Sequence, residues 1–509
     1  MMMLSLLASL VVVGCAWWVW TVVRWVWLTP RAIERCLRKQ GLDGPPYRLL
    51  HGDMNQIATM DRQAARSKPI TFSDHDFLPK ILPFYHHIFH TYGKSSFTWR
   101  GPTARITIMD PQLIKEVLMN HKIYKKPTPN PMVKLLVSGV PSYEGQKWAK
   151  HRKIIAPAFT QENLKHMFSA MYTSCNDILI AQWAKLVSEN GSCELDVQPY
   201  IDDFSSDVIS RNAFGSNYEQ GRRIYKLQKE QAMLTSQALK SVYLPGRRFL
   251  PTKTNRRMKE INNELRSILS KVMEEKERAT LSSDEDLLSL LLKSTTRTNR
   301  DMGMSVDEAF EECKSFYFAG QESSSNLLVW TMILLSQNQT WQTRAREDVN
   351  RVFKNSIPTY EGLSHLKVVT MILYEVLRLY SPATMFTRVT YKETKLGDLT
   401  IPAGVQLLLP VIFVHHDQEL WGEDAKEFKP ERFSEGIANA TKNKLAFFPF
   451  SWGPRICIGN NFALMEAKLA ISTILQNFSF ELSPSYTHSP TYVVTLQPRH
   501  GAHLILHKI

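Results

Sequence analysis

One cysteine constrains this chain more than any other residue. Near the C-terminus the sequence reads Phe450-Ser-Trp-Gly453-Pro-Arg455-Ile-Cys457-Ile-Gly459, and a run with helical periodicity, from about Asn460 to about Phe478, follows at once. A thiol placed just before a helix N-terminus and beside an arginine is in the environment that favours thiolate over thiol. Such a thiolate serves as a nucleophile or as an axial metal ligand. Gly453 and Gly459 separate the two readings. They bracket the cysteine where backbone approaches a flat partner closely or takes positive φ, and a large planar partner suits that better than a substrate carbonyl. An isolated cysteine reads as a small buried apolar residue; one set among Phe450, Gly453, Arg455 and Gly459 does not.

The other end of the chain is equally distinctive. Residues 4–23 carry no charge and are almost entirely apolar. At 1.5 Å per residue they span about 30 Å, the thickness of a bilayer core. Trp17, Trp18, Trp20, Trp25 and Trp27 crowd the C-terminal end of this run, and Arg24, Arg31, Arg35, Arg38 and Lys39 follow, with nothing charged before. That asymmetry puts the body in the cytosol and the N-terminus in the lumen. A cleaved signal peptide is the competing reading, disfavoured by the missing basic n-region and by the tryptophans. Residues 1–29 thus read as a retained anchor and residues 30–50 as a basic, Pro-rich hinge with Gly44-Pro45-Pro46 as its stiff part. No Gly/Ser- or Pro-rich linker divides residues 51–509, and a 44% hydrophobic content is enough to fill one large core. Six scattered cysteines without a CxxC pair describe a reduced chain. Sequons at Asn190, Asn338, Asn439 and Asn477 are then expected to stay unoccupied. The formal net charge is +14. Without a zinc finger, an RNA-binding aromatic motif or a basic amphipathic repeat, that excess points away from nucleic acid, towards a membrane and an acidic protein partner.

The fold class is mainly α with a minor β part. Residues 94–109 alternate as a small sheet around Arg100-Gly101-Pro102, and Asp110-Pro111 starts a helix. Helical periodicity then dominates to about residue 380, with polar breaks near 127–131, 281–286 and 294–305. A second β-rich patch spans residues 388–409, and residues 434–447 form a polar meander leading into the cysteine loop. The long helix from about Val306 to about Ser336 opens on a capping box, Ser305 with Glu308. Halfway along stands Ala319-Gly320-Gln321-Glu322-Ser323. A mid-helix glycine costs about 1 kcal/mol against alanine, and an acid beside a hydroxyl is unusual in a buried span.

The cysteine loop resembles the haem-binding loop of the haem-thiolate monooxygenases, the cytochrome P-450 superfamily. The resemblance covers essentially the whole chain: anchor, Pro-Pro segment, Trp148/Arg152, Glu322/Ser323, Glu375/Arg378, Arg432 and Cys457, in order. Trp27-Leu-Thr-Pro30, Arg248-Phe-Leu-Pro-Thr252, His415-His416-Asp417 and the closing Leu496–His503 resemble one plant lineage within it, clan seventy-two. The resemblance implies a single large haem-thiolate monooxygenase fold behind a transmembrane helix. It implies haem b with Cys457 as axial iron ligand, Phe450 and Gly453 shaping the loop, and Gly320 leaving room over the haem face. Trp148 and Arg152, donors on one helix face, and by resemblance Arg388 and Arg455, are expected on the haem propionates. Glu322 and Ser323 are the expected catalytic pair, because scission of dioxygen needs two protons delivered at the distal oxygen. Threonine is usual where Ser323 stands; serine keeps the hydroxyl and loses the methyl that restricts its rotamer. Glu375, Arg378 and Arg432 resemble a structural Glu–Arg–Arg lock beneath the haem.

No G-x-G-x-x-G follows a strand and no P-loop is present, so electrons must come from another protein. The resemblance implies NADPH–cytochrome reductase, with NADPH used only indirectly, at the endoplasmic reticulum membrane with a cytosolic catalytic domain. Lys147, Lys150 and Lys153 share the Trp148 helix and suit either an acidic flavoprotein or solvent. The lineage oxidises terpenoid-derived molecules (triterpenoids, gibberellins, iridoids), and a related group acts on cytokinins. The expected reaction inserts one atom of O2 into a C–H bond of a bulky hydrophobic substrate. Its pocket is expected from the 121–142 loop, the helices around 220–250, the distal helix and residues 383–386. Two other readings stay open: a haem-thiolate isomerase or dehydratase that needs no O2, and a non-catalytic binding protein of the same fold.

Overall fold

A single proline explains how the N-terminal helix meets the body. Helix Met2–Val23 widens to a π-turn at Arg24–Leu28 and returns to α-helix over Thr29–Lys39. Pro30 has no N–H for the carbonyl of Val26, four residues earlier. The Tyr47 hydroxyl takes that carbonyl instead, at 2.6 Å. The break expected after residue 29 therefore does not occur, and the first ten residues of the expected hinge are helix. The rest of it is docked. Phe97 N–H donates to the Asp43 carbonyl at 3.0 Å and the Trp99 indole to Pro45 at 3.1 Å. A Cβ at Gly44 would overlap the Phe97 carbonyl. Among the residues described by this computed structural model (2–70, 75–187, 191–215, 218–240, 246–279, 286–295 and 303–509), this is the one helix long and apolar enough to cross a membrane. Asn190 and the polar breaks at 281–285 and 296–302 lie outside the described residues.

The body is mainly helical with minor sheet, as its periodicity predicts. The principal sheet runs Phe97–Arg100, Thr103–Thr107, Gln406–Leu409, Phe386–Thr390, Tyr124–Lys125. Its central pair, Arg105 against Gln406, is parallel and the others are antiparallel. Gly101 turns the first hairpin at φ 57°. The sequence reading missed a second sheet, Ser192–Asp196, His503–Lys508 and Phe478–Leu482. Its strands come from distant parts of the chain, and no short-range pattern pairs them.

Helix Val306–Gln337 is the spine of the core. Ser305 and Glu308 close the expected capping box with both hydrogen bonds present. Trp330 stacks on Tyr380 with ring centres 4.2 Å apart. The spine crosses helix Gln198–Phe214 on one side and touches helix Asn460–Asn477 on another. His151 and Glu312, both fully buried, meet at 2.7 Å. Glu312 also accepts from the Val140 N–H at 2.9 Å, which ties the 138–143 loop to the spine.

Candidate active site

The cysteine loop is a tight fold built by backbone. Cys457 N–H donates to the Phe450 carbonyl at 2.9 Å, and Ile456 N–H to Gly453 at 3.0 Å. Gly453 needs to be glycine: its φ is 73°, and a Cβ would come within 2.9 Å of the Leu118 carbonyl. Gly459 has φ −94°, and its nearest neighbour to a Cβ, Phe159, lies 3.9 Å away. Positive φ thus accounts for the first glycine and not the second, where a Cβ would make ordinary contact with Phe159. Cys457 is exposed in the chain, although it stands three residues before the helix Asn460–Asn477. Although its surface is accessible, the protein crowded around the sulfur pushes the thiol up, against the Gly459 backbone N–H, Arg152 and Lys126, which favour the thiolate.

Four cations surround this loop. Arg388 and Arg455 are buried, and Arg152 and Lys126 stand close enough to share their field. Burial, Arg388, Arg455 and Arg152 together bring the Lys126 ammonium down to about 7, opposed by Glu144. Arg455 meets Glu144 at 2.8 Å. Its Nε and Nη1, the Nε of Arg388 and the Nδ1 of His121 are buried without a hydrogen-bond partner. Buried guanidinium donors left unpaired call for an anion. The two carboxylates of haem b fit them, and the exposed Cys457 thiol offers the ligand its iron takes. Trp148, the expected indole donor, packs against this cluster. Its ring lies 4.3 Å under the Arg455 guanidinium and 5.1 Å from His121, so it positions Arg455 by cation–π contact. Lys126, Glu144 and His121 were not legible in the sequence, since nothing in their local pattern marks them as facing the arginines. Two of the three lysines expected on a docking face are engaged: Lys147 pairs with Glu308 at 2.7 Å, and Lys150 donates to Gly303 at 2.7 Å.

On the spine, Ala319 is exposed within an otherwise buried stretch, and Ser323 is half-buried. The Ser323 hydroxyl donates back to the Ala319 carbonyl at 2.7 Å. Glu322 is turned elsewhere. Its Oε1 accepts from the Thr495 hydroxyl at 2.9 Å, and burial raises its carboxyl pKa. No hydrogen bond joins Glu322 to Ser323 directly among the described residues. Gly320 has an unforeseen neighbour: a Cβ would stand 2.8 Å from Ile209 Cδ1. The absent side chain lets two helices approach.

Beneath the loop the ion-pair lock is complete. Glu375 and Arg378, both fully buried, pair in bidentate fashion at 2.7 Å. The other Arg378 donors go to the carbonyls of His415, Ala425 and Glu427. Arg432 adds a contact to Glu375 at 3.3 Å and one to Asp424 at 2.6 Å. His415, held neutral by burial and by Arg378, accepts from the Phe448 N–H at 3.2 Å. The lock therefore reaches the start of the cysteine loop through one imidazole.

Two cavities, of about 570 and 380 Å³, lie beside the principal sheet. The expected segments contribute Val133 and Val137, Ser236 and Leu239, and Met385 and Phe386. The spine helix lines neither of these two. Arg100 and Arg105 line both, and Trp25 of the N-terminal helix lines the larger.

A family model described as Cytochrome P450 matches residues 76–504. The chain is 54% identical over 501 residues to Cytochrome P450 72A397 of Kalopanax septemlobus, covering 97% of this chain and 96% of that one. It is 52% identical over 510 residues to Cytochrome P450 72A15 of Arabidopsis thaliana, covering 99% of each. It is 50% identical over 506 residues to the 7-deoxyloganic acid hydroxylase of Catharanthus roseus, covering 97% of this chain and 96% of that one. Haem b, and electrons from a reductase partner, follow from this membership. The chain belongs to the cytochrome P450 family, in its plant clan seventy-two, and is a haem-dependent monooxygenase.

Proposed function

We propose that the protein inserts one oxygen atom from O2 into a C–H bond of a bulky, terpenoid-derived plant metabolite. In this reading it is a single-pass protein of the endoplasmic reticulum with its body in the cytosol, and NADPH–cytochrome reductase supplies the electrons. The substrate class rests on the near full-length identity to a hydroxylase named for 7-deoxyloganic acid, joined to two cavities beside the principal sheet that share the apolar side chains Met54, Leu239 and Met385. Bound haem supplies the activation of dioxygen, with Cys457 as the donor on its iron. Arg388, Arg455, Arg152 and Lys126 balance the propionate charge. Glu322 carries a proton on a carboxyl whose pKa is raised by burial, and the Ser323 hydroxyl passes it on once the Glu322 side chain or a water spans the gap.

The test is spectral and then catalytic. Reduced enzyme under carbon monoxide should show the shifted Soret band of thiolate ligation, and Cys457→Ser should lose it. Turnover of a terpenoid panel should require both NADPH and reductase. A thiolate spectrum with product formed in their absence would instead assign an isomerase.

A further inference from the structure

Among the described residues, no acid pairs with two arginines in the cavity walls. Arg105 is 8% exposed. Its Nε donates to the Gln406 amide oxygen at 2.8 Å and its Nη1 reaches the Tyr85 hydroxyl at 3.4 Å. Arg100, at the end of the neighbouring turn, makes no ion pair among the described residues. The groups whose charge favours its protonated form are phenols, Tyr85 and Tyr492, and repulsion from Arg105 leads the effects that bring the Arg100 guanidinium down to about 10. Asp61, an acid in the same cavity, is matched to Lys240 at 3.7 Å. Arg105 is buried and Arg100 half-buried, and two like charges so close are costly unless something pairs with them.

Their position says what that partner is. Arg100 and Arg105 are shared by both cavities, together with the apolar side chains Met54, Leu239 and Met385. A ligand there rests an apolar body on those three and presents an anion to two guanidinium forks, geometry suited to a carboxylate. Trp25 puts the rim of the larger cavity at the N-terminal helix, where an amphipathic acid would arrive from a membrane surface.

We propose that Arg100 and Arg105 form a carboxylate-recognition site in the substrate cavity, so that the substrate is a terpenoid acid held by its carboxylate. This rests on the terpenoid reading above and narrows it. Hydrogen bonds to charged groups are strong enough that losing one weakens binding by about 10-fold or more.

The experiment uses holoenzyme in phosphatidylcholine nanodiscs and reads the absorption change on binding. The probes are a pentacyclic triterpenoid acid and an iridoid acid, each against its methyl ester. For at least one pair the acid should bind about 10-fold or more tighter than the ester. Arg100→Met and Arg105→Met should each erode that preference, and Arg105→Lys should keep part of it. Either methionine variant relieves repulsion, so thermal melting should show both folded. Equal binding and oxidation of acid and ester by the wild type would overturn the carboxylate site while leaving the terpenoid reading standing. Acid preference surviving both variants would overturn it as well. So would its loss when phosphatidylserine replaces phosphatidylcholine, which would give the arginines to lipid headgroups. Failure of every terpenoid to bind or react would sink both readings.

Discussion

At the scale of the residue, Ser323 is where this chain leaves its family's usual pattern. Its hydroxyl is already committed as a donor to Ala319, at 2.7 Å, and keeps lone pairs with which to accept. Without the methyl of threonine, χ1 is freer. Ser323→Ala should lower product formed per NADPH by on the order of 10-fold, with the lost electrons recovered as peroxide. Ser323→Thr should raise that yield. Both are measured by oxygen uptake, peroxide release and product together. If Ser323→Ala leaves all three unchanged, the relay runs elsewhere. Glu322 is legible in sequence as an acid misplaced in a buried helix, but its direction is not. Thr495, which holds it, lies far along the chain in a segment whose path only the folded molecule defines.

At the scale of the element, Gly320 has a neighbour that the sequence does not name. A glycine inside a helix must be there for space, and the sequence offers the haem as the claimant. The structure offers Ile209, on the helix crossing the spine. Gly320→Ala should gain about 1 kcal/mol of helix propensity and lose about 1–3 kcal/mol to overpacking. The expected net change is a loss on the order of 1 kcal/mol in denaturant unfolding. Ile209→Val, which removes the nearest atom, should recover part of it. A double-mutant cycle tests the coupling; strict additivity would return Gly320 to the haem. The helix ends behave differently. Ser305/Glu308 and Asp110/Pro111 cap as expected because each motif closes within four residues.

At the scale of the whole molecule, the Glu375–Arg378–Arg432 lock joins parts of the chain about fifty residues apart. Arg378 uses five hydrogen bonds, three of them to carbonyls of the 415–427 segment. Glu375→Gln leaves the fully buried Arg378 guanidinium without a counter-charge, while Arg432 keeps Asp424, a loss of about 3–5 kcal/mol. Haem retention and the cooperativity of unfolding should both fall. Arg378→Lys should not rescue the fold, because one ammonium has three donors for five positions. Unchanged haem content in either variant would show the lock to be dispensable for the cysteine loop.

The sequence by itself determined whatever is encoded locally: the apolar N-terminal helix, the capped spine, the hairpin at Gly101, the thiol before its helix and the i, i+3 acid–base pair. Neighbours along the chain decide those, through hydrogen-bond geometry and periodicity. Only the tertiary structure decided which groups face each other across long separations. It put Tyr47 on the carbonyl that Pro30 frees, Ile209 against Gly320, Trp148 under Arg455, and Arg100 in the same cavity walls as Arg105. Burial removes water from such meetings, and a charge or hydroxyl that solvent would have satisfied must then find its partner in the fold or in a ligand.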